Sequence, residues 1–424
     1  MIILYNLSIF LYSLLIRLAA PFNQKARLLV NGRNRWRQPF LDKPLDEARP
    51  VAWFHAASLG EFEQGRPVIE AFRTTYPACQ IVLSFFSPSG YEVRKNYAGA
   101  DVVTYLPADT AINAREWMEQ VRPQIAFFIK YEFWYHYLQA LDAGHSARPG
   151  QSVPTLSFSA IFRPNQLFFK PYGGFYRNLL TYFDHILVQN QESVTLLNQI
   201  GIDRVTLAGD TRFDRVAQVA AAKRAIPEAA AFVGNAPTLV VGSAWAADMD
   251  VLIPALNAFT KPLRVIIAPH EIHETEINGW QSKLTAPSVR FSSLSTTPPP
   301  PDARYLFIDN IGMLTSLYQY GTFAYIGGAF SKGLHNCLEA ATFGLPLLFG
   351  PNHQKFQEAV DLVQQGGAFQ VRSVTELTQT FARLYENASE RERAGSICQR
   401  YVMGNVGATD LVMEVVKAIQ PFGQ

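Results

Sequence analysis

A carboxylate follows the first apolar run of the chain. The stretch Ser58-Leu59-Gly60-Glu61 comes after the run 51–58 and opens an amphipathic segment. A carboxylate at such a turn can take the proton from an attacking hydroxyl, and Gly60 lets a ligand come close. Ser58 and Glu61 also have the Ser-x-x-Glu spacing of a capping box, which only closes the start of a helix. Glu61 is therefore predicted to be a general base or a helix cap.

A second carboxylate follows the apolar run 124–130. Lys130 and Glu132 stand there beside Phe133 and Trp134. Charges at the end of an apolar strand are unusual, and ligands of open α/β sheets bind beyond the carboxyl ends of the strands. Lys130 and Glu132 are therefore candidates for a substrate site. The alternative is a surface helix with Glu132 in its first turn.

Basic and aromatic residues alternate in the segment 157–177. Arg163, Lys170 and Arg177 lie there among phenylalanines and tyrosines. Such a loop can lie at a lipid headgroup and bind its phosphate. The composition also suits stacking of nucleic-acid bases or ordinary aromatic packing. The apolar N-terminus of the chain favours the lipid.

Two glycine turns are predicted in the second half of the chain. Gly242-Ser243 ends one apolar run and Gly327-Gly328 ends another. At such turns, backbone N–H groups at the start of a helix can bind a phosphate.

The run 327–339 adds polar side chains to the second turn. Lys332, next to Gly333, can offset the charge of a phosphate. Asn336 and Glu339 are spaced i,i+3, which predicts one face of a helix, and the carboxylate there can accept both hydroxyls of a ribose. The alternative is a glycine-rich connector followed by a capped helix.

Signals for a metal or a disulfide framework are weak. His270 and His273 form the close histidine pair of the sequence, but no third ligand is evident, and the H-E-x-x-H, P-loop, G-x-S-x-G and Asp-x-Asp signatures are missing. The sequence has three cysteines at long spacings. This pattern predicts a reducing compartment rather than a disulfide scaffold. We therefore expect neither a metal nor a cofactor.

Short β-rich runs alternate with helical segments from Pro50 onward. This alternation predicts βαβ units with parallel sheets. It pauses over the Ala-rich helical stretch 211–236 and then resumes, which predicts two doubly wound α/β domains facing a cleft. The predicted strands are 51–58, 80–86, 101–106, 124–130, 153–159, 185–190, 204–209, 237–243, 263–269, 304–309, 322–328 and 345–350; helices are predicted at 61–75, 109–121, 191–200 and 388–421, and an exposed loop at 292–301.

The first 22 residues are apolar, with Arg17 as their one charge. A spanning helix needs about 20 such residues, so the length is borderline. A signal peptide would have early basic residues, whereas here the basic residues follow the apolar run, which favours an uncleaved anchor with the body on the cytoplasmic side. The anchor either spans the membrane or lies in its interface; the alternative is a buried helix. Lys25, Arg27, Arg33, Arg35 and Arg37 precede the first acid, Asp42, and are typical of a membrane-surface contact or, alternatively, of a solvated linker.

Composition narrows the possible classes. The residues are 48% hydrophobic and 17% charged, which excludes a disordered chain, and the length of 424 residues suggests two domains or, alternatively, three. The net charge of +2 gives no global field that would draw the protein to nucleic acid.

Six segments, in this order, resemble one enzyme family. The chain is similar to the 3-deoxy-octulosonic acid (Kdo) transferases of lipopolysaccharide synthesis, which have the two-domain GT-B glycosyltransferase fold. Residues 327–351 and 353–359 are the most specific part of the resemblance. The segments are HAASLGEFEQGRPVI (55–69), YEFW (131–134), GDTRFD (209–214), GSAW (242–245), GGAFSKGLHNCLEAATFGLPLLFGP (327–351) and HQKFQEA (353–359).

The resemblance implies roles for particular residues. Glu61 corresponds to the catalytic base and Glu132 to a second acidic residue. Lys130 stands where the family commonly has an acid, and His270 where it often has an arginine near the CMP phosphate, so His270 or Lys332 is expected to compensate. The implied donor-binding residues are Ser243, His270, Lys332, Gly333, Asn336 and Glu339, and the implied acceptor-binding residues are Ser58, Gly60, Lys130, Arg163 and Lys170.

The resemblance also implies a reaction and a location. We expect inverting, metal-independent transfer of Kdo from CMP-Kdo to a hydroxyl of a lipid A precursor at the inner membrane. The alternatives are another GT-B enzyme, such as a different membrane-surface glycosyltransferase or a nucleotide-sugar epimerase, and a non-catalytic membrane-tethered scaffold. The expected division is an anchor (1–22), a basic linker (23–49), an acceptor domain (50–215), an interdomain linker (216–236), a donor domain (237–390) and C-terminal helices that pack back toward the first domain (391–424).

Overall fold

The chain folds into two compact units. The computed structural model describes residues 1–144, 152–222, 224–295, 298–331 and 333–422. The first unit comprises Met1–Arg215 and Val406–Gln424, and the second comprises Val216–Asn405. Lys332, a predicted donor-binding residue, lies outside the described residues.

The first unit is built on a parallel sheet. Among the described residues this sheet has seven strands in the order β3-β2-β1-β4-β5-β6-β7. The strands are β1 (Val51–Ala56), β2 (Gln80–Phe85), β3 (Val102–Tyr105), β4 (Ile125–Ile129), β5 (Thr155–Ala160), β6 (His185–Val188) and β7 (Val205–Leu207). The helices are α1 (Ile2–Ala19), α2 (Gln24–Asn34), α3 (Gln38–Asp42), α4 (Leu59–Thr75), α5 (Pro88–Arg94), α6 (Ala111–Val121), α7 (Tyr135–Asp142), α8 (Gly174–Leu180) and α9 (Gln191–Gln199), with a 3₁₀ turn at Leu167–Phe169; α10 (Arg212–Ala221) contains the boundary between the units.

The second unit repeats this architecture. Its described residues form a parallel sheet of seven strands in the order β10-β11-β9-β8-β12-β13-β14. The strands are β8 (Thr238–Ala244), β9 (Arg264–Pro269), β10 (Ser288–Arg290), β11 (Tyr305–Phe307), β12 (Phe323–Ile326), β13 (Leu347–Phe349) and β14 (Ala368–Gln370). The helices are α11 (Pro227–Val233), α12 (Ala246–Ala258), α13 (Glu274–Lys283), α14 (Leu314–Leu317), α15 (Leu338–Thr342), α16 (Gln357–Gln365), α17 (Val374–Glu386) and α18 (Ala388–Met403), with 3₁₀ turns at Phe291–Ser295 and Tyr318–Tyr320; α19 (Ala408–Ile419) belongs to the first unit.

The central strands are mostly apolar because helices cover both faces of each sheet. Every residue of β1, β2 and β4 is buried. Alternate residues of β1 enter two separate cores, with Trp53 in one and Phe54 in the other. This burial fixes the strands, so that their carboxyl ends present side chains at one edge of the sheet.

The final helix packs on α4 in the first unit. The carboxylate of Asp214 accepts hydrogen bonds from the backbone N–H groups of Gly407 and Thr409, at 2.6 and 2.7 Å. A carboxylate at a helix N-terminus satisfies orphan N–H donors and favours the helix dipole. Asp214 therefore fixes where α19 begins.

Helix α1 is attached to the first unit along one side only. It has no buried residue and is long and apolar enough to cross a membrane. The hydroxyl of Tyr5 donates a hydrogen bond to Asp109, and the Asn6 side-chain oxygen lies 2.7 Å from Nε2 of His136. The opposite side leaves large apolar residues exposed.

The predicted parallel α/β architecture is confirmed, and each predicted strand is found. Two short edge strands, β10 and β14, were not predicted, because three residues are too few to form an apolar run. The stretch 211–236 holds two helices, and 388–421 is divided into α18 and α19 near Gly404. The predicted loop 292–301 begins with a 3₁₀ turn, and its residues 296–297 lie outside the described residues. Glu132 precedes α7 and is buried, so the alternative that placed it in a surface helix is wrong.

Candidate functional site

Glu61 lies at the start of α4, just beyond β1. Ser58 is the N-cap residue, with extended backbone, and its hydroxyl accepts from the Glu61 N–H at 3.5 Å. The Glu61 carboxylate accepts a hydrogen bond from the N–H of Ala57 at 2.5 Å. The predicted helix cap is therefore present. The shortest hydrogen bond to the Glu61 carboxylate comes from the N–H of Ala57, whereas a capping box would use the N–H of Ser58.

A role as a helix cap does not explain the pKa of the Glu61 carboxylate. Burial, and next the charge of Glu132, raise the pKa of Glu61 to about 7, against the opposing effects of the Ala57 N–H and Lys130. A carboxylate that serves only as a cap would be favoured in its charged form, with a low pKa. A carboxyl group poised near neutrality is instead suited to accepting a proton during a reaction.

Glu132 is held in a buried network of hydrogen bonds. Its Oε2 atom accepts from the indole N–H of Trp134 at 2.6 Å and lies 3.0 Å from Nε2 of His55. The Nδ1 atom of His55 lies 2.8 Å from the hydroxyl of Ser84, which in turn accepts from the indole N–H of Trp53. The network fixes the orientation of the Glu132 carboxylate.

Strand register creates this network. His55 on β1 is aligned with Ser84 on β2 and with Phe128 on β4. His55 is fully buried in a strand that is otherwise apolar, and this isolated polar residue was the signal available in the sequence. The sequence analysis assigned no role to His55 or Ser84, because the alignment of neighbouring parallel strands depends on the whole sheet.

Lys130 ends β4 in a left-handed backbone conformation, with φ of 69°. A non-glycine residue there is uncommon, and such residues concentrate at functional sites. Burial lowers the pKa of Lys130, and the nearby charges include Arg212, Asp210 and Glu61. Lys130 is thus brought to the acidic site, the group of Glu61, Glu132, His55 and Lys130.

The GDTRFD segment supports the same edge of the sheet. The Asp210 carboxylate accepts from the side chain of Gln64 at 3.0 Å and from the guanidinium of Arg212 at 2.8 Å. The hydroxyls of Ser159 and Thr211 lie 2.8 Å apart. These bonds tie the β7–α10 turn to α4 and β5, and they hold Asp210 and Arg212 near Lys130.

The remaining predicted acceptor residues differ in exposure. Gly60 is exposed, and a Cβ atom there would meet only the Ser58 hydroxyl, at 3.9 Å. Arg163 is exposed and donates to the hydroxyl of Tyr131 at 3.3 Å, while Lys170 is half-buried. Arg177 donates to the carbonyl of Lys170 at 3.0 Å, which gives Arg177 a structural role in this loop.

An aromatic groove of 430 Å³ lies beside this loop. Tyr131, Phe133, Trp134, Leu167 and Tyr176 line it. Trp134 is shared with the acidic site, since its indole N–H binds Glu132. The groove thus places an apolar surface next to a carboxylate.

In the second unit, β8 and the turn after β12 approach closely. Ser243 has a positive φ of 53°, and a Cβ atom on Gly327 would lie 2.2 Å from the carbonyl oxygen of Ser243. Gly328 has φ of 95°. Glycine is required at both positions, at the first by lack of space and at the second also by backbone conformation.

Asp248 fixes this glycine turn. Its buried carboxylate accepts from the N–H groups of Gly328 and Trp245, at 2.8 and 3.0 Å, and from the hydroxyl of Tyr325 at 3.1 Å. Burial raises the pKa of Asp248, while these donors oppose the rise. The sequence analysis missed Asp248, which forms part of a conventional helix start.

Three rings stack beyond these strands. The Trp245 indole donates to Nε2 of His335 at 2.7 Å, and the two rings lie nearly in one plane. His270 stacks over both rings, with centroid distances of 4.4 and 4.2 Å. Burial and the charge of His270 lower the pKa of His335 to about 4, so it is neutral at pH 7. The sequence predicted His270 here but not its two partners.

Asn336 and Glu339 are in contact, but not as predicted. Helix α15 begins at Leu338, so Asn336 lies outside the helix and accepts from the Leu338 N–H at 3.1 Å. Short Asn side chains commonly bond backbone two residues on, which favours turns over helix. The Asn336 amide still donates to Glu339 at 3.1 Å, and Thr315 donates to the other Glu339 oxygen at 2.5 Å. Gly333, a predicted donor-binding residue, has a φ of 137°, a backbone conformation that favours glycine.

Comparison with known proteins relates these features to a family. Residues 34–215 match the family model of 3-deoxy-D-manno-octulosonic-acid transferase (Kdo transferase). The chain is 26% identical over 352 residues to the 3-deoxy-D-manno-octulosonic acid transferase of Chlamydophila psittaci, covering 81% of this chain and 79% of the relative. It is 24% identical over 399 residues to that of Bordetella pertussis, covering 88% of each.

The chain is a relative of the Kdo transferases, similar to them over about four fifths of its length. Kdo transferases are glycosyltransferases, so the chain is an enzyme of a glycosyltransferase family. The segment that matches the Kdo transferase model contains the acidic site, including Glu61 and Glu132.

A solved structure agrees on the fold. The UDP-GlcNAc 2-epimerase from Neisseria meningitidis, solved with UDP-GlcNAc bound, matches with a TM-score of 0.61 and 15% identity, covering 87% of this chain and 100% of that chain. At this identity the likeness concerns the fold alone. Together with the two parallel sheets, it confirms the GT-B type of architecture.

Proposed function

We propose that this enzyme transfers Kdo from CMP-Kdo to a hydroxyl of a lipid A precursor. The observation that carries the proposal is the acidic site, in which burial and Glu132 raise the pKa of Glu61 to about 7. The family of the chain and its apolar N-terminal helix support the choice of substrates.

Glu61 acts as the general base. Its carboxylate takes the proton from the acceptor hydroxyl, and the oxygen attacks the anomeric carbon of CMP-Kdo. The bond from that carbon to the CMP phosphate breaks through an oxocarbenium-like state, and configuration inverts. The helix start at Ser58 orients Glu61, and Gly60 leaves the space in which the acceptor approaches.

Glu132 and Lys130 adjust the pKa of Glu61, and Lys130 also positions the acceptor. The negative charge of Glu132 raises the pKa of Glu61, which makes the ionised base stronger. Lys130 binds an acidic group or hydroxyl of the acceptor and limits that rise. Arg163 and Lys170, at the edge of the aromatic groove, bind the lipid headgroup, and the groove accommodates an apolar part of the acceptor.

The second unit binds the donor. The backbone N–H groups at the start of α12 that Asp248 does not bind stabilise the charge that develops on CMP. His270 replaces the arginine expected of the family and is held by stacking on Trp245 and His335. Lys332 and Gly333 lie next to this turn in the sequence, and Glu339, held by Asn336 and Thr315, binds the ribose hydroxyls.

The enzyme works at the inner membrane with its body on the cytoplasmic side. Helix α1 lies against the first unit with its apolar side exposed, and basic residues follow it. These residues favour anionic cytoplasmic headgroups.

The deciding experiment is product mass from CMP-Kdo and tetra-acyl diglucosamine bisphosphate, with wild type beside Glu61→Gln. We expect the wild type to add Kdo, and the variant to be slower by about 10²–10⁴-fold, the usual contribution of a general base. Glu63→Gln, two residues along α4 in an ion pair with Arg94, is the control and keeps its activity. Epimerisation of UDP-GlcNAc without Kdo transfer would contradict the proposal and favour the alternative suggested by the fold.

A further inference from the structure

A cavity unrelated to the acidic site lies between α1 and α2. It measures 150 Å³, and its lining includes Ser13 and Arg17 of α1, Arg33 and Asn34 of α2, and Asn113 of α6. Its volume is several times the roughly 30 Å³ that one water molecule occupies. A phosphate group therefore fits inside it.

Arg33 is a half-buried cation with two shielded donor atoms. Its Nε and Nη2 atoms are shielded from solvent and have no hydrogen-bond partner in the part of the chain that the structure describes. Its guanidinium lies over the ring of Phe86, 4.5 Å from the centroid, and burial lowers its pKa. Buried donors of a charged group are costly when they remain unpaired, so an anion bound here would offset that cost.

The surroundings of Arg33 favour an anion. The hydroxyl of Ser13 is also buried without a partner among the described residues, and Arg17 adds a second positive charge. The lining contains no Asp or Glu among the described residues. Asp109 lines an adjoining cavity, but its carboxylate already accepts from Tyr5, His136 and Tyr137.

Helix packing holds Arg33 in this position. A Cβ atom on Gly32 would lie 2.2 Å from the ring of Tyr105, so α2 lies directly against β3. Helix α1, which forms one wall of the cavity, also exposes Ile3, Phe10 and Leu15. We therefore take the anion that fits the cavity to be the phosphate of a lipid.

We propose that this cavity binds the phosphate group of an anionic lipid, with Arg33, Ser13 and Arg17 as its donors. The source is either a bilayer phospholipid or, if the proposed function holds, the phosphorylated acceptor itself. Arg33 is well suited because its planar fork of donors matches phosphate geometry.

The test is lipid-dependent thermal unfolding of the full chain in neutral detergent micelles. Phosphatidic acid, compared with phosphatidylcholine, is expected to raise the unfolding temperature of the wild type. Arg33→Gln should lose this effect, with affinity weaker by about 10-fold or more, the usual loss for a charge-assisted bond. Arg204→Gln removes a charge from an exposed side chain elsewhere in the first unit, where it pairs with Asp184, and should respond like the wild type.

A second arm identifies the source of the phosphate. Tetra-acyl diglucosamine bisphosphate is compared with its dephosphorylated form, without CMP-Kdo. Stabilisation that needs both phosphate and Arg33 assigns the site to the acceptor, and a response to phosphatidic acid alone assigns it to the bilayer. Because neither arm needs turnover, failure of Kdo transfer would leave this result readable.

Two further variants guard against misfolding. Arg33→Lys keeps the charge but loses the fork, and it should retain part of the response. Ser13→Ala should weaken the response without lowering the unfolding temperature in the absence of lipid. If Arg33→Gln and wild type respond equally to every phosphorylated lipid, or if Arg33→Gln lowers only the lipid-free stability, the cavity is not a phosphate site.

Discussion

Glu61 combines a structural and a chemical demand in one side chain. Its carboxylate closes the start of α4 through the Ala57 N–H, yet burial and Glu132 raise its pKa to about 7. A group with that pKa changes its charge in the range where an enzyme works. Two predictions follow from the same shift, one for rate and one for stability.

The rate of transfer should fall as the pH drops through about 7, because protonated Glu61 cannot accept the hydroxyl proton. The measurement is kcat/KM for the acceptor between pH 5 and 9. Glu132→Gln removes the neighbouring negative charge, so the acid limb of its profile should move to lower pH. An acid limb that stays in place in this variant would argue against the coupling of the two carboxylates.

Stability should change with pH in the opposite sense. A raised pKa in the folded state favours folding at low pH, and this contribution is lost as the pH rises from the unfolded value near 4.5 through about 7. Relative to the wild type, Glu61→Gln should therefore be more stable by about 1–3 kcal/mol at pH 8, with a much smaller difference at pH 4.5. Thermal or urea unfolding at the two pH values measures it; an equal difference at both would exclude the shift.

At the scale of elements, a substitution at the start of α4 can distinguish an effect on stability from an effect on acceptor binding. A Cβ atom on Gly60 would meet only the Ser58 hydroxyl, at 3.9 Å. Gly60→Ala should therefore leave the protein as stable or stabilise it by about 0.5–1 kcal/mol, since Ala is the better helix former. If the acceptor approaches here, its KM should rise several-fold while the KM for CMP-Kdo stays unchanged. An unchanged acceptor KM would mean that this helix start does not contact the acceptor.

The sequence predicted the elements well because their signals are local. Apolar runs and amphipathic periods located the long strands and helices, and the turns that follow strands located Glu61, Glu132, Ser243 and His270. Edge strands β10 and β14 were missed because three residues carry no periodicity.

Contacts between elements were not predictable from local patterns. His55 reaches Glu132 and Ser84 only through the register of β1 with its neighbours. His335 meets Trp245 and His270 only when the turns after β8, β9 and β12 are folded. Asn336 illustrates a local conflict, since its i,i+3 spacing suited a helix but its side chain bonds the Leu338 N–H in a turn.

At the scale of the whole molecule, the N-terminal helix decides how the enzyme meets its lipid. Tyr5 and Asn6 bind Asp109 and His136 through side-chain hydrogen bonds, and Tyr12 stacks on Phe86 further along the helix. Together these contacts hold α1 against the rest of the first unit. If α1 crossed the bilayer alone, these polar groups would have no hydrogen-bond partners in the hydrocarbon. Each unsatisfied group would cost roughly several kcal/mol of free energy. Lying in the interface keeps the bonds and immerses the apolar side.

We therefore expect α1 to lie in the membrane interface, with both of its ends on the cytoplasmic side. The cysteines Cys79, Cys337 and Cys398 are buried, so a single introduced cysteine can be labelled in the natural background. Ile2→Cys reports on the N-terminal end of α1, and Glu119→Cys, at an exposed position of α6, reports on the body of the enzyme. In inverted inner-membrane vesicles, a membrane-impermeant maleimide should label both variants, whereas in right-side-out vesicles it should label neither until the membrane is opened. Labelling of Ile2→Cys only from the opposite side to Glu119→Cys would show that α1 spans the bilayer, and the hydrogen bonds of Tyr5 and Asn6 would then have to break when the enzyme enters the membrane.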